Sequence, residues 1–206
     1  MRLPELVRAA ALACSCFALA NCGGDSSGGQ GSELARAPSD AWTGQQIADF
    51  AMVERSGREV RRADLAGQTL VLDFIFTTCA GPCPALSAGM AELQRELAGT
   101  DVQLVSVTVD PETDTLERLR DYAQGFGADP QRWLFLRGGP DQLAALASSV
   151  TLSVASDPSA PPGFQVTHST KLLVIDGEGR VRGYYDGTAP QERARAAERA
   201  RWLAAR

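Results

Sequence analysis

Two cysteines and one histidine are the residues of this sequence whose types and spacing could do chemistry. Cys79 and Cys83 are separated by three residues, and His168 is the only histidine in the chain. Two sulfurs and an imidazole suit Cu(I) and can also hold Cu(II). A plain disulfide fits the same two cysteines, and zinc with a water as fourth ligand fits all three residues. The spacing alone therefore leaves copper, zinc and a disulfide open.

The two cysteines lie where a predicted strand gives way to a predicted helix. The segment that begins at Leu70 is apolar and β-branched, as in a strand buried on both faces. Glycine and two prolines interrupt regular structure up to Cys83, and Pro84 suits the first turn of a helix. Unpaired N–H groups and the helix dipole favour negative charge at such a position. We therefore expect lowered thiol pKa values and thiolate chemistry there.

The rest of the chain alternates between strand and helix patterns. The predicted elements are a hairpin at 50–60, strands at 102–109 and 133–136, helices starting near Pro84, Asp114 and Pro140, a hairpin at 171–185, and a helix at 190–206. Asp114 followed by Glu117 suggests a capping box, and the three prolines of 156–163 indicate a loop.

This order of elements indicates an α/β fold with a central mixed sheet flanked by helices and an N-terminal β-hairpin extension. With paired cysteines after the first long strand, it matches the thioredoxin-like fold. In that fold the loop that enters the strand at Lys171 faces the cysteine turn. His168 is therefore expected to approach Cys79 and Cys83.

Composition and net charge limit the kinds of function that the chain could have. The chain has 206 residues, of which 44% are hydrophobic and 22% charged, values ordinary for one soluble domain with a substantial core. The formal net charge is −5. Since phosphate binding needs a basic face, nucleic acid is not expected as the main partner.

Residues 1–22 have the pattern of an export signal. Arg2 and Arg8 supply positive charge, and the apolar stretch that follows is too short for a membrane-spanning helix, which needs about 20 apolar residues. The stretch Leu19-Ala20-Asn21-Cys22 resembles a bacterial lipoprotein signal, whose cysteine becomes lipidated. An ordinary signal peptide cut nearby is the alternative.

The Gly- and Ser-rich residues 23–44 are predicted to form a flexible tether, and 45–206 the folded domain. Removal of the signal would discard two cysteines, and lipidation would occupy Cys22. Cys79 and Cys83 would then be the only free thiols.

Three blocks of the sequence resemble the SCO/SenC family: residues 76–84 around the cysteines, residues 107–115, and residues 167–169 around His168. Family members are membrane-tethered thioredoxin-like proteins that bind one copper through two cysteines and a histidine. They help to assemble the binuclear copper centre of cytochrome c oxidase. The resemblance implies that Cys79, Cys83 and His168 bind one Cu(I) or Cu(II) ion per chain. Ala80 and Thr167 stand where relatives often have proline and aspartate, and neither would be a ligand.

The resemblance also implies partners and a location. The copper-bearing subunit of cytochrome c oxidase is the expected recipient, with a copper donor and a periplasmic thiol reductant as further partners. The protein is expected on the periplasmic or cell-surface side of a membrane, held by a lipid on Cys22 where many relatives use a transmembrane helix. Asp110, in the second block, could orient His168 or tune the dithiol. A plain turn residue that ends a strand is the alternative for Asp110.

We expect a copper metallochaperone rather than an enzyme. The alternative is a thiol–disulfide reductase that keeps the copper-ligand cysteines of the target reduced through a Cys79–Cys83 disulfide cycle. A thiol peroxidase on the same fold fits less well, because Cys79 has a partner cysteine four residues on. His168 separates the first two interpretations, since a copper carrier needs it as a ligand and dithiol exchange does not.

Overall fold

The computed structural model describes residues 44–152, 154–156, 159 and 166–206. The predicted signal, most of the predicted tether and Cys22 lie outside these residues. The described strands are β1 (Ala51–Glu54), β2 (Glu59–Arg61), β3 (Leu70–Ile75), β4 (Gln103–Thr108), β5 (Trp133–Arg137), β6 (Val154–Ser156), β7 (Val166–His168), β8 (Lys171–Ile175) and β9 (Val181–Asp186). The described α-helices are α1 (Cys83–Glu96), α2 (Leu116–Gly125), α3 (Pro140–Ser149) and α4 (Pro190–Ala204), and a 3₁₀ turn covers Arg62–Leu65.

Seven strands form one mixed sheet in the order β2-β1-β5-β4-β3-β8-β9. The central strands β3, β4 and β5 run parallel, whereas β1, β8 and β9 pair antiparallel with their neighbours. The predicted N-terminal hairpin is confirmed, with Gly57 at φ +94° in its turn, a backbone conformation that glycine adopts without strain. It extends one edge of the sheet because β1 pairs with β5. The thioredoxin-like, mixed α/β architecture is confirmed.

All six residues of β3 are buried, as the sequence predicts for a strand covered on both faces. Val71 and Ile75 face one apolar cluster, which includes residues of α1, α2 and α4. Leu72 and Phe74 face the other cluster, to which α3 contributes. Strand β3 is therefore held from both sides, and its end is a rigid starting point for the residues that follow.

The ends of β3 and β4 bring two loops together at one edge of the sheet. Ile75, the last residue of β3, pairs in parallel with Thr108, the last residue of β4. Because carboxyl ends of parallel strands meet at the same edge, the cysteine turn after β3 lies beside the loop that connects β4 to α2. This juxtaposition places residues of the first two sequence blocks next to each other.

The predicted capping box at Asp114 is wrong. The N-cap of α2 is Thr115, whose Oγ1 accepts the N–H of Arg118 at 3.2 Å. Asp114 is instead fully buried and accepts hydrogen bonds from distant residues. The local pattern fails because the carboxylate has better partners in the tertiary structure than at the helix start.

A second antiparallel pair, β6 with β7, is not anticipated from the sequence. His168 ends β7, paired with Val154, rather than lying in an irregular loop before β8. Of the predicted loop 156–163, only Ser156, which ends β6, and Ser159 are described. Within the described ranges, no helix combines the length and apolar content that crossing a bilayer requires.

Candidate metal centre

The thiol of Cys83 lies at the N-terminus of α1. Cys83 is the first residue of the helix and is buried, and the helix starts there because Pro84 fits its first turn. The N–H of Leu86 donates to the Pro82 carbonyl at 2.9 Å, which closes the first helical turn over the cysteine. The predicted strand–turn–helix arrangement is confirmed.

Cys79 lies in the turn before the helix and is partly exposed. Its N–H donates to the carbonyl of Phe76 at 3.3 Å. Cys79 and Cys83 are both free thiols in this structure. Cys79 is therefore partly open to solvent, while Cys83 is enclosed by the core.

His168 is in direct contact with the buried cysteine. Its Nε2 lies 3.0 Å from the Cys83 Sγ, and its Nδ1 lies 2.9 Å from the carbonyl oxygen of Ser169. A carbonyl oxygen can only accept, so Nδ1 carries the proton and Nε2 presents a lone pair to the sulfur. The Phe76 ring meets the imidazole edge-on, with centroids 5.6 Å apart and planes at 82°. The imidazole is thus fixed in orientation and tautomer by its surroundings.

Burial keeps both members of this contact uncharged. It raises the pKa of the Cys83 thiol well above its ordinary value, and the neighbouring Cys79 thiol acts in the same direction. Burial also lowers the pKa of His168. The expectation of a lowered thiol pKa is therefore wrong for Cys83, because desolvation outweighs the helix N-terminus.

The structure places Asp110 in the loop that follows β4. Its Oδ1 accepts the N–H of Thr113 at 3.3 Å, and its own N–H donates to Thr108 Oγ1 at 3.1 Å. These contacts are those of a turn residue. A hydrogen bond from Asp110 to His168 or to either cysteine is not present among the described residues, and its influence on the site stays a prediction.

Asp114, which the sequence suggested only as a cap, is attached to the cysteine turn. It accepts hydrogen bonds from the N–H and the hydroxyl of Thr77, which lies two residues before Cys79. The sequence signal for this contact is the position of Asp114 in the second block, residues 107–115. That block includes the loop after β4, which adjoins the turn after β3.

The donor set suits a soft metal ion. It comprises two sulfurs and an imidazole nitrogen with a free lone pair, ligands that suit copper and also zinc. In the described part of the chain, no three His, Cys, Asp or Glu side chains are already gathered as a metal-binding group. Cys83 and His168 are in direct contact, and the Cys79 thiol neighbours that of Cys83.

The family model described as SCO1/SenC matches residues 40–204 of the chain. A SCO1/SenC family lipoprotein from Bacillus anthracis is 30% identical, with a TM-score of 0.71, over 78% of this chain and 96% of that one. BsSco is described as a member of the Sco family of cytochrome c oxidase assembly proteins with a disulfide switch. It is 27% identical, with a TM-score of 0.63, over 75% of this chain and 94% of that one.

A structure of Bradyrhizobium japonicum ScoI contains bound copper. The match to it covers 75% of this chain and 99% of the ScoI chain, with a TM-score of 0.65 and 23% identity. At this identity the similarity concerns the fold. The likeness spans nearly the whole of each of the three solved chains.

Proposed function

The chain belongs to the SCO1/SenC family, and from this premise we propose that it binds one copper ion through Cys79, Cys83 and His168. We further propose that it carries this copper for assembly of the binuclear copper centre of cytochrome c oxidase. The observation that supports the ligand set best is the 3.0 Å contact between His168 Nε2 and Cys83 Sγ. It brings together two of the three proposed ligands, which are distant in sequence.

The protonation states on the two sides of this contact favour loading by a soft cation. The imidazole is neutral and holds its proton on Nδ1, so Nε2 has no proton to lose before it coordinates. The thiols must lose theirs, since only thiolates are effective ligands. Copper would supply the positive charge that compensates the buried Cys83 thiolate, which the protein alone does not stabilise.

The difference in exposure between the two cysteines suits a transfer protein. Cys79 is partly exposed and Cys83 is buried. Exchange of copper with the ligands of a donor or recipient can therefore begin at Cys79. Cys83 and His168 would hold the ion until the new ligands are in place.

A thiol–disulfide reductase is the second candidate. Two free thiols four residues apart at a helix N-terminus support it, as does the disulfide switch ascribed to BsSco. In this role Cys79 and Cys83 would give two electrons and two protons to a disulfide of the target and would become a disulfide themselves. A separate thiol reductant would then restore the dithiol.

Export and membrane attachment complete the proposal. The similarity to a Bacillus anthracis protein described as a lipoprotein supports an exported, membrane-anchored location. We propose lipidation at Cys22, with residues 23–44 as the tether. A position on the outer side of the membrane would bring the site to a membrane-bound oxidase.

Oxidase assembly in cells carrying His168→Ala tests the proposal against the reductase. At limiting copper, a copper carrier without its histidine should leave the oxidase copper centre unfilled, whereas copper-replete medium should restore part of it. The purified variant should still reduce a model disulfide, because exchange needs only the two thiols. Normal oxidase assembly at limiting copper in this variant would refute the copper-carrier function and support the reductase function.

A further inference from the structure

A buried carboxylate, that of Asp114, holds the turn that carries Cys79 to the loop after β4. The Thr77 N–H lies 3.1 Å and 3.2 Å from its two oxygens, and the Thr77 hydroxyl donates to Oδ1 at 2.5 Å. The Thr108 hydroxyl donates to Oδ2 at 2.5 Å. Asp114 is fully buried, at 0% exposure.

The residues that hold the Asp114 carboxylate in place are fixed by regular structure. Thr108 ends β4 and pairs with Ile75 in the core of the sheet. The N–H of Asp114 donates to the Asp110 carbonyl at 2.9 Å, and Thr115, the next residue, caps α2. The carboxylate thus sits on a framework fixed by a strand end and a helix start.

Such a group is costly to bury unless its oxygens are fully used. Hydrogen bonds to a carboxylate are shorter and roughly twice as strong as those between neutral groups. A buried charge without such partners is strongly unfavourable. Thr77 and Thr108 supply these partners, so Asp114 restrains the position of the Thr77 backbone.

We propose that Asp114 is a positioning residue for Cys79. It acts through Thr77, which lies two residues before that cysteine, and sets how far the Cys79 sulfur stands from Cys83 and His168. The copper part of this statement rests on the proposed function; the effect on the dithiol does not. Asp110, for which the sequence left open both a role near the site and that of a turn residue, accepts from Thr113 within its own loop.

The pair Thr77→Val and Thr77→Ser tests this role with little change in shape. Valine keeps the branched side chain but removes the hydroxyl, and serine retains the hydroxyl. Thr77→Val should shift the midpoint potential of the Cys79–Cys83 couple and weaken copper binding by about 10–100-fold, the usual effect of losing a group that orients a ligand. Thr77→Ser should restore both quantities to near their wild-type values. Asp114→Asn should behave like Thr77→Val.

Asp176→Asn is the matched control for lost hydrogen bonding. The Oδ1 of Asp176 accepts from the N–H groups of Glu178 and Arg180 in the β8–β9 turn, and its Oδ2 forms an ion pair with Arg182 that asparagine cannot keep. That turn lies at the opposite end of the sheet, because Ile175 pairs with Leu70. The control should lower the melting temperature while leaving the potential and the copper affinity unchanged.

The measurements separate this proposal from the proposed function. If wild-type protein fails to bind copper but Thr77→Val still shifts the dithiol potential and Thr77→Ser restores it, the positioning role stands without copper. If Thr77→Val has wild-type potential and copper affinity, the positioning role is refuted whatever the metal does. A shift of the same size in Asp176→Asn refutes it as well, since the effect would then follow from stability alone.

Discussion

His168 Nε2 lies 3.0 Å from Cys83 Sγ, although 85 positions separate the two residues in the chain. The opposite ring nitrogen is held by the Ser169 carbonyl at 2.9 Å. The imidazole is therefore oriented toward the sulfur before any metal arrives. Little ordering of the histidine is needed on binding.

Oxidation of the dithiol should abolish copper binding. A Cys79–Cys83 disulfide has no thiolate to offer, and His168 alone is a weak site. Copper titrations of the oxidised and the dithiothreitol-reduced protein, after removal of the reductant, compare the two states. We expect binding of one ion only in the reduced protein. Equal affinity in both states would mean that the thiolates are not ligands.

The histidine contribution to Cu(II) binding should persist to lower pH than for an ordinary imidazole. Burial lowers the pKa of His168, so protons compete with the metal only below the usual value of about 6.5. The contribution is complete above the lowered pKa and is lost as the pH falls through it. The ratio of Cu(II) affinities of wild type and His168→Ala, followed from pH 8 to pH 5, isolates this contribution from that of the thiols. A midpoint at or above about 6.5 would contradict the effect of burial.

Asp73 should make the protein less stable as the pH rises from about 4 to about 7. It is fully buried and accepts the Ser106 hydroxyl, while its Oδ2 has no hydrogen-bond partner within the described residues. Burial raises its pKa to about 7, partly opposed by the Ser106 hydrogen bond. Because the unfolded chain ionises first, the native carboxyl binds the extra proton, and the free energy of unfolding falls over this range.

A pKa difference of about three units corresponds to at most about 4 kcal/mol. Asp73→Asn cannot ionise, so its free energy of unfolding relative to wild type should increase between pH 4.5 and pH 8. Urea unfolding at both pH values measures this difference. A constant difference would show that Asp73 ionises alike in the folded and unfolded states.

Cys22→Ser should release the protein from membranes. Acylation of Cys22 would provide the anchor, and two or more acyl chains hold a protein stably where one is marginal. Fractionation of cells, followed by mass spectrometry of the mature N-terminus, tests this. A soluble wild-type protein with an unmodified N-terminus other than Cys22 would refute the lipid anchor.

The strand, turn and helix around the cysteines could be predicted because their signals are local. The apolar run of β3, the glycine and prolines of the turn, and Pro84 each act within a few residues. The position of His168 near the cysteines followed from the order of elements and from family resemblance. The exact contact could not be predicted, since it depends on β7, a short strand whose pairing with β6 leaves little pattern in the sequence.

Long-range partners account for what the sequence did not reveal. Asp114 satisfies a local capping pattern, but its hydrogen bonds to Thr77 and Thr108 exist only once β3 and β4 lie side by side. The helix N-terminus, a local feature, predicts a lowered pKa for the Cys83 thiol. The depth of burial, which decides it, depends on the whole packed core.

Copper titration of the reduced protein beside its Cys79→Ser, Cys83→Ser and His168→Ala variants tests the central claim most directly. Wild type should bind one copper per chain. The cysteine variants should lose most of their Cu(I) affinity, because thiolates supply the soft donors and the charge. His168→Ala should keep weak Cu(I) binding but lose Cu(II) affinity on the order of 100-fold, about 3 kcal/mol. Wild-type affinity for both ions in His168→Ala would contradict the three-ligand site.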